Sequence, residues 1–260
     1  MRFTAITSRK NTMVRMASGI ASSAKERKKY GLFFVEGARL CEDAAKSKFE
    51  IEKLFYTQSA YEKYTFYLEE AVRQAKEIYQ IEEHVAELLA QTKHSQGVFG
   101  LCKIPVQQQV ALEGKWIALE NVQDPSNLGG IMRTAEALGM QGLLLIGGCD
   151  LYSSKVVRAS MGAVFRMQIV ACDNIDSLSG LLGIESMHCF AAVPDSSAEK
   201  LGEVFFPENA MVFIGNEGNG LTEEAIGFCR RKITIPMKGR AESFNAAAAA
   251  AICLWEISKT

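Results

Sequence analysis

Between Trp116 and Ile235 the chain places five short apolar runs separated by longer segments, and this pattern constrains the fold more than any other feature. The runs are Trp116 to Leu119, Leu143 to Ile146, Phe190 to Val193, Met211 to Ile214 and Ile233 to Ile235, and the segments between them carry apolar residues at helical spacing. A strand with one wet face alternates apolar and polar residues, whereas a continuous apolar run is buried on both faces. Such strands interleaved with helices predict an α/β domain with a mostly parallel sheet covered on both sides.

The part ahead of it reads differently. Leu32 to Val35, ending at Glu36-Gly37, is a short strand followed by a helix over Ala38 to Lys46; Ile51 to Tyr56 is a strand, Tyr61 to Lys76 and Ile81 to Leu89 are helices, and Gly97 to Cys102 is a strand. Pro105 to Gly114, with glutamines at 107 to 109, has no periodicity and reads as a linker. A chain of 260 residues suits two domains, each with its own core. The expected division is a smaller α/β domain over 1–105, a linker over 106–114 and the parallel-sheet domain over 115–260.

Net charge is −1, but its distribution is uneven: Arg2, Arg9, Lys10, Arg15, Lys25, Arg27, Lys28 and Lys29 face the single acid Glu26 in the first 29 residues. Local fields matter more to a polyanion than the total does, although a charge run by itself is ordinarily a solvated face. This stretch reads as a solvated helix pair or arm. Seven scattered cysteines form no Cys-x-x-Cys pair and the histidines His84, His94 and His188 do not cluster, so neither a metal site nor a disulfide framework is expected. No run of about 18 apolar residues and no signal core appear, so a cytoplasmic protein without a membrane span is expected.

Three polar, glycine-rich clusters each follow an apolar run of the second domain, where open parallel sheets place their ligands. The first runs from Glu120 to Ala135 and contains Asn127, suited to cap a helix beginning near Leu128, then Gly129 and Arg133. The second is Gly215-Asn216-Glu217-Gly218-Asn219-Gly220, followed by Thr222, a helix cap. It matches neither the phosphate loop nor the dinucleotide fingerprint. The third is Ile235-Pro236-Met237-Lys238-Gly239, then Ser243-Phe244-Asn245 and the alanine-rich Ala246 to Ala251. Pro236 ends the strand and Ser243 or Asn245 suits a cap. Singly, each cluster is also explained as a turn before a capped helix.

Taken in order, the three clusters resemble the motifs of the SpoU (TrmH-like) RNA 2′-O-ribose methyltransferases of the SPOUT superfamily. Asn127, Gly129 and Arg133 carry the first motif; Gly215, Glu217, Gly218 and Gly220 the second; Ile235, Pro236, Met237, Gly239, Ser243 and Asn245 the third. Phe244 replaces the usual leucine, and alanines follow Asn245 where β-branched residues are frequent, which bears on pocket shape. Ser8-Arg9-Lys10-Asn11 and Phe33 to Gly37 look like the substrate-binding domain found ahead of many such catalytic domains, related in shape to a ribosomal-protein α/β sandwich.

The resemblance implies a deep trefoil knot in the second domain and S-adenosylmethionine as cofactor, with Gly215, Asn216, Ile235, Met237 and Phe244 around it. It also implies a catalytic set of Arg133, Asn127, Glu217, Ser243 and Asn245, and a homodimer. A guanidinium is a donor and a poor proton acceptor, so Arg133 is expected to grip a phosphate and the emerging alkoxide and not to act as base. In this reading Arg9, Lys10, Asn11, Lys25, Arg27 and Lys28 contact RNA. Ribosomal RNA is the favoured substrate; transfer RNA, or a non-catalytic RNA-binding assembly factor on the same fold, are the alternatives.

Overall fold

The computed structural model describes residues 3–106 and 109–259, and the chain forms two compact units. The first opens with β1 (Thr4–Ile6), α1 (Thr12–Ser22) and α2 (Ala24–Tyr30). It continues with β2 (Leu32–Glu36), α3 (Ala38–Ala45), β3 (Ile51–Tyr56), α4 (Gln58–Gln74), β4 (Glu77–Ile81), α5 (Glu83–Leu89) and β5 (Val98–Lys103). The sheet order is β1-β4-β3-β5-β2, with β1, β4 and β3 parallel and β5 antiparallel to both its neighbours. The basic stretch is a helix pair whose α2 is mostly exposed, whereas α1 packs one face inward. Its α1 buries Val14, Ala17, Ile20 and Ala21 in the core beside Phe34, Phe55 and Phe99.

The second unit contains β6 (Lys115–Glu120), α6 (Pro125–Ala137) and β7 (Gly142–Ile146). After β7 come α7 (Ser154–Ala159) and α8 (Ala163–Arg166). Then follow β8 (Gln168–Cys172), β9 (His188–Ala192), the two-residue β10 (Glu199–Lys200), β11 (Ala210–Ile214), α9 (Glu223–Cys229), β12 (Arg231–Thr234) and α10 (Ala246–Ile257). The order is β10-β12-β9-β11-β6-β7-β8, and every described pair is parallel, as the apolar runs require. From β6 the chain proceeds outward through β7 and β8, then returns to the other side for β9, β11 and β12. The reversal falls between β6 and β11, and the first two glycine-rich clusters leave the carboxyl ends of these two strands, the position where such sheets open a crevice.

The division between units departs from a single cut at 106–114. Asp150–Phe165, inside the region expected to be one domain, belongs with the first unit. Side-chain chemistry explains it: Tyr152 and Phe165 join Phe33 and Phe49 in one aromatic cluster, with centroids 4.8 to 6.4 Å apart. Asp150 takes an ion pair from Arg27 at 2.7 Å, and Ser154 Oγ donates to the Ala21 carbonyl. At the linker, Gln107 and Gln108 lie outside the described residues, while Leu112 is fully buried in the core of the second unit.

Candidate functional site

The end of β6 turns at Asn121, a non-glycine residue in the left-handed region at φ 53°. The helix that follows is capped by Asp124, whose carboxylate accepts the Ser126 amide at 2.7 Å, with Pro125 in its first turn. The cap is therefore not Asn127, which lies inside the first turn with its side chain released for other contacts. Its Nδ2 donates to Glu217 Oε1 at 2.9 Å, and its Oδ1 accepts from Asn245 Nδ2 at 3.2 Å. Asn245 in turn caps α10 by accepting the Ala248 amide at 2.8 Å. One hydrogen-bonded chain, Glu217 to Asn127 to Asn245, thus ties together all three clusters.

Glu217 also accepts the main-chain amides of Gln123 and Asp124, both at 3.1 Å. Partial burial would push its carboxyl pKa up; the Asn127 and main-chain hydrogen bonds outweigh this and hold it below the usual range. It is an ionised clamp on the first cluster, making no contact with Arg133. The loop bearing it is closed by reciprocal amide–carbonyl bonds between Asn216 and Gly220, at 3.0 and 2.9 Å. Asn216 Oδ1 accepts the Gly218 and Asn219 amides, and its Nδ2 donates to the Asn121 carbonyl. Asn216 thus shapes the loop with every polar group it has. A side chain at Gly215 would bring its Cβ within 2.1 to 2.3 Å of the Gly220 and Leu221 main chain, so the closure demands glycine there.

This loop forms one wall of a 460 Å³ cavity at the carboxyl ends of β9, β11 and β12. Gly215, Asn216, Ile235, Met237 and Phe244 all line it, as do Glu217 and Ser243. Its size is that of a small-molecule site. The fit to a nucleoside-bearing cofactor rests on the glycine-bounded loop on one side and apolar Ile235, Met237 and Phe244 on the other. Asp195, Glu223, Glu242 and Lys232 complete the lining, none of them singled out from sequence. Another unassigned residue is Glu120, buried at the end of β6, which accepts both the amide and the hydroxyl of Thr222 and so anchors the far end of the loop. An acid terminating an otherwise apolar strand was its only sequence signal.

Arg133 does not reach this cavity. Its exposed side chain lines a separate, shallower hollow of 530 Å³ between α6 and α10, with Gly130, Thr134, Ala137, Leu138, Ala251 and Trp255. No hydrogen bond or ion pair holds it among the described residues.

The basic candidates of the first unit divide. Arg27 is buried, bonded to Asp150 and to the Ile20 carbonyl, and is a packing anchor with no surface to offer a phosphate, contrary to expectation. Asn11 is spent as the cap of α1, and Arg9 bonds Glu87 and the His84 carbonyl. Lys10, Lys25 and Lys28 remain exposed. Among the described residues no group of three or more His, Cys, Asp or Glu side chains could hold a metal, and no helix is long and apolar enough to cross a membrane.

A parallel α/β sheet with a glycine-bounded cavity beside its topological reversal, its loops laced by two asparagines and a glutamate, fits the class of transferases that use a nucleoside-bearing cofactor. Residues 115–255 match the SpoU rRNA Methylase family, and residues 11–100 match the MRM3-like substrate binding domain. The chain belongs to the SpoU rRNA methylase family. It is 28% identical to the 23S rRNA (guanosine(2553)-2′-O)-methyltransferase RlmP of Bacillus subtilis, over 90% of this chain and 91% of that one. Among solved structures it resembles an AdoMet-bound rRNA methyltransferase from Sinorhizobium meliloti, at TM-score 0.87 and 26% identity over 99% of this chain and 98% of that one. It also resembles a putative RNA methyltransferase of the TrmH family from Porphyromonas gingivalis, at TM-score 0.80 and 27% identity over 94% and 95% of the two chains.

Proposed function

We propose that this chain methylates a ribose 2′-hydroxyl of ribosomal RNA using S-adenosylmethionine, and we place it in the cytoplasm with that substrate. The observation that carries the reading is the Glu217–Asn127–Asn245 chain at the cavity, because it joins in space three motifs that are far apart in sequence. The names of its relatives and the AdoMet-bound S. meliloti structure support the same chemistry.

S-adenosylmethionine, when bound, supplies an activated methyl group on a sulfonium. Ile235, Met237 and Phe244 would pack its apolar surfaces, and the Gly215 main chain would allow its close approach. Asn127, Glu217 and Asn245 hold the three loops in register, and Ser243 lines the cavity beside them; such positioning is where much of the acceleration of a methyl transfer resides. Arg133 would donate to a phosphate beside the target ribose and to the developing alkoxide.

Within one chain Arg133 and the cofactor cavity are separate, which favours a homodimer in which a second copy supplies Arg133. The exposed Trp255, 58% accessible, and the small residues Gly130, Ala137 and Ala251 around it offer a face for that copy. We infer that the knot expected of this family would involve residues 235–245, a reading supported by a chain that leaves β12, passes the cavity and turns into α10, which packs back on α6 and β11.

The test is methyl transfer from labelled S-adenosylmethionine to deproteinised ribosomal RNA by the purified protein, with the mark located by mass spectrometry. A ribose-methylated nucleotide is the expected product. Base methylation, or cofactor binding without transfer to RNA, would reject the reading.

A further inference from the structure

In the first unit, the carboxyl ends of β1, β2, β3 and β4 and the amino end of β5 share one edge of the sheet. Along it the charges are not evenly spread. The β1–β4 half carries Glu82, Glu83 and Glu87, with Arg9 tied to Glu87 and Ser59 bonded to Glu83. The β2–β5 half exposes Arg39, Lys93 and His94, and no hydrogen bond or ion pair to a described residue engages any of the three side chains.

The loop of residues 91–97 that presents Lys93 and His94 is braced at both ends. Glu36 accepts the Gln91 amide at 3.0 Å and the Thr92 hydroxyl at 2.8 Å, which turns the nearest acid inward. Gln96 Oε1 accepts the Ala38 amide at 2.8 Å, joining the loop to the start of α3 one residue before Arg39. Gly97 takes φ 69°, and a Cβ there would come within 2.9 Å of Thr57 Oγ1. A loop fixed at each end by side-chain hydrogen bonds to its main chain or to the start of α3, with Lys93 and His94 left free, is preorganised to receive an anion instead of collapsing onto its own chain.

We propose that Arg39, Lys93 and His94 form the RNA-gripping surface of the first unit, Arg39 and Lys93 on successive phosphates and His94 against a base or ribose of a single-stranded segment. This rests on the RNA-directed reading above and moves the grip away from the α1–α2 stretch. Arg27, Asn11 and Arg9 of that stretch are already engaged in the fold, and Lys29 pairs with Glu26 and lies over Tyr30. Phosphate contacts of this kind release counterions, so each contributes about 0.7 to the salt slope on single-stranded RNA. Ribose and base contacts on unpaired strands supply the rest.

The experiment measures binding of the full chain to a fluorescein-labelled 20-nucleotide oligouridine and to deproteinised bacterial 23S ribosomal RNA, by anisotropy and filter retention over a salt series. R39E/K93E is compared with K25E/K28E and with H94A, and S-adenosylmethionine binding is followed by calorimetry in parallel. The expected result is a loss of tenfold or more for R39E/K93E, with the salt slope lowered by about 1.4, a smaller loss for H94A, and less than threefold for K25E/K28E, all with the cofactor isotherm unchanged. R39E/K93E binding within twofold of the parent, or a larger loss in K25E/K28E, overturns the assignment while leaving RNA methylation standing. A parent that binds cofactor but neither RNA overturns both.

Discussion

The two concavities of the second unit are built on opposite principles. The cavity at the ends of β9, β11 and β12 is over-determined: hydrogen bonds fix Asn216, Glu217, Asn127 and Asn245, close backbone approach demands glycine at Gly215, and Glu120 pins the far end of the loop. The hollow around Arg133 is under-determined, a shallow surface of small residues with one unengaged cation and one exposed tryptophan. The contrast teaches where each function lies. A site that recognises a small ligand must exist before the ligand arrives, whereas a surface that a second copy would complete, as proposed above, needs only complementarity.

The largest effect expected from breaking this contrast is at Gly215. A Gly215→Val chain, whose Cβ would meet the Gly220–Leu221 main chain at 2.1 to 2.3 Å, must open the loop. Calorimetry should detect no S-adenosylmethionine binding, and the melt should show a loss of about 1–3 kcal/mol from overpacking. Arg133→Ala should do the reverse, lowering single-turnover methyl transfer by about a hundredfold to a thousandfold while leaving cofactor affinity and melting temperature unchanged. Equal loss of cofactor affinity in Arg133→Ala would erase the distinction between the two concavities.

Trp255→Glu probes the hollow as an interface. Light scattering should report a shift from dimer to monomer, with association weakened by about 2 kcal/mol or more, and transfer should fall with cofactor binding retained. A monomeric parent would sharpen the comparison differently, by requiring Arg133 to act within one chain.

Glu217→Gln should destabilise the fold only modestly, by about 1 kcal/mol, because the residue is exposed and its partners are re-solvated. Its sign with pH is fixed. A carboxyl held below its unfolded pKa stabilises the folded chain above that unfolded value, and this contribution is lost as pH falls through the lowered one. The melting difference between parent and Glu217→Gln should be full at neutral pH and shrink in acid. A difference that grows in acid would contradict the clamp.

Much of the second unit was legible because burial writes itself into strands. Both-face apolar runs announced β6, β7, β9 and β11, β12 was caught only around its buried Ile233, and the glycines and amides following them announced where the ligand site opens. Elements with little burial escaped: β1 is mostly exposed and three residues long, β10 is two residues long, and β8 alternates too weakly to stand out. In the first unit β4 fell in the gap between the helices expected over Tyr61 to Lys76 and Ile81 to Leu89, since its alternation is shorter than a helical window.

The sequence by itself determined the parallel sheet and the three loops, since these follow from local patterning; Gly215, Asn216, Ile235, Met237 and Phe244 at the cavity were named by the resemblance of their motifs, which passed over Asp195, Glu223 and Lys232. Only the tertiary structure decided that Asn127 bridges loops instead of capping a helix, that Arg27 is an anchor, that Asp150–Phe165 belongs with the first unit, and that Arg133 stands apart from the cavity. Each of these depends on which partner a polar or aromatic side chain meets across tens of residues of chain. That choice is settled by packing and desolvation in the folded state and leaves no periodic trace in the residues themselves.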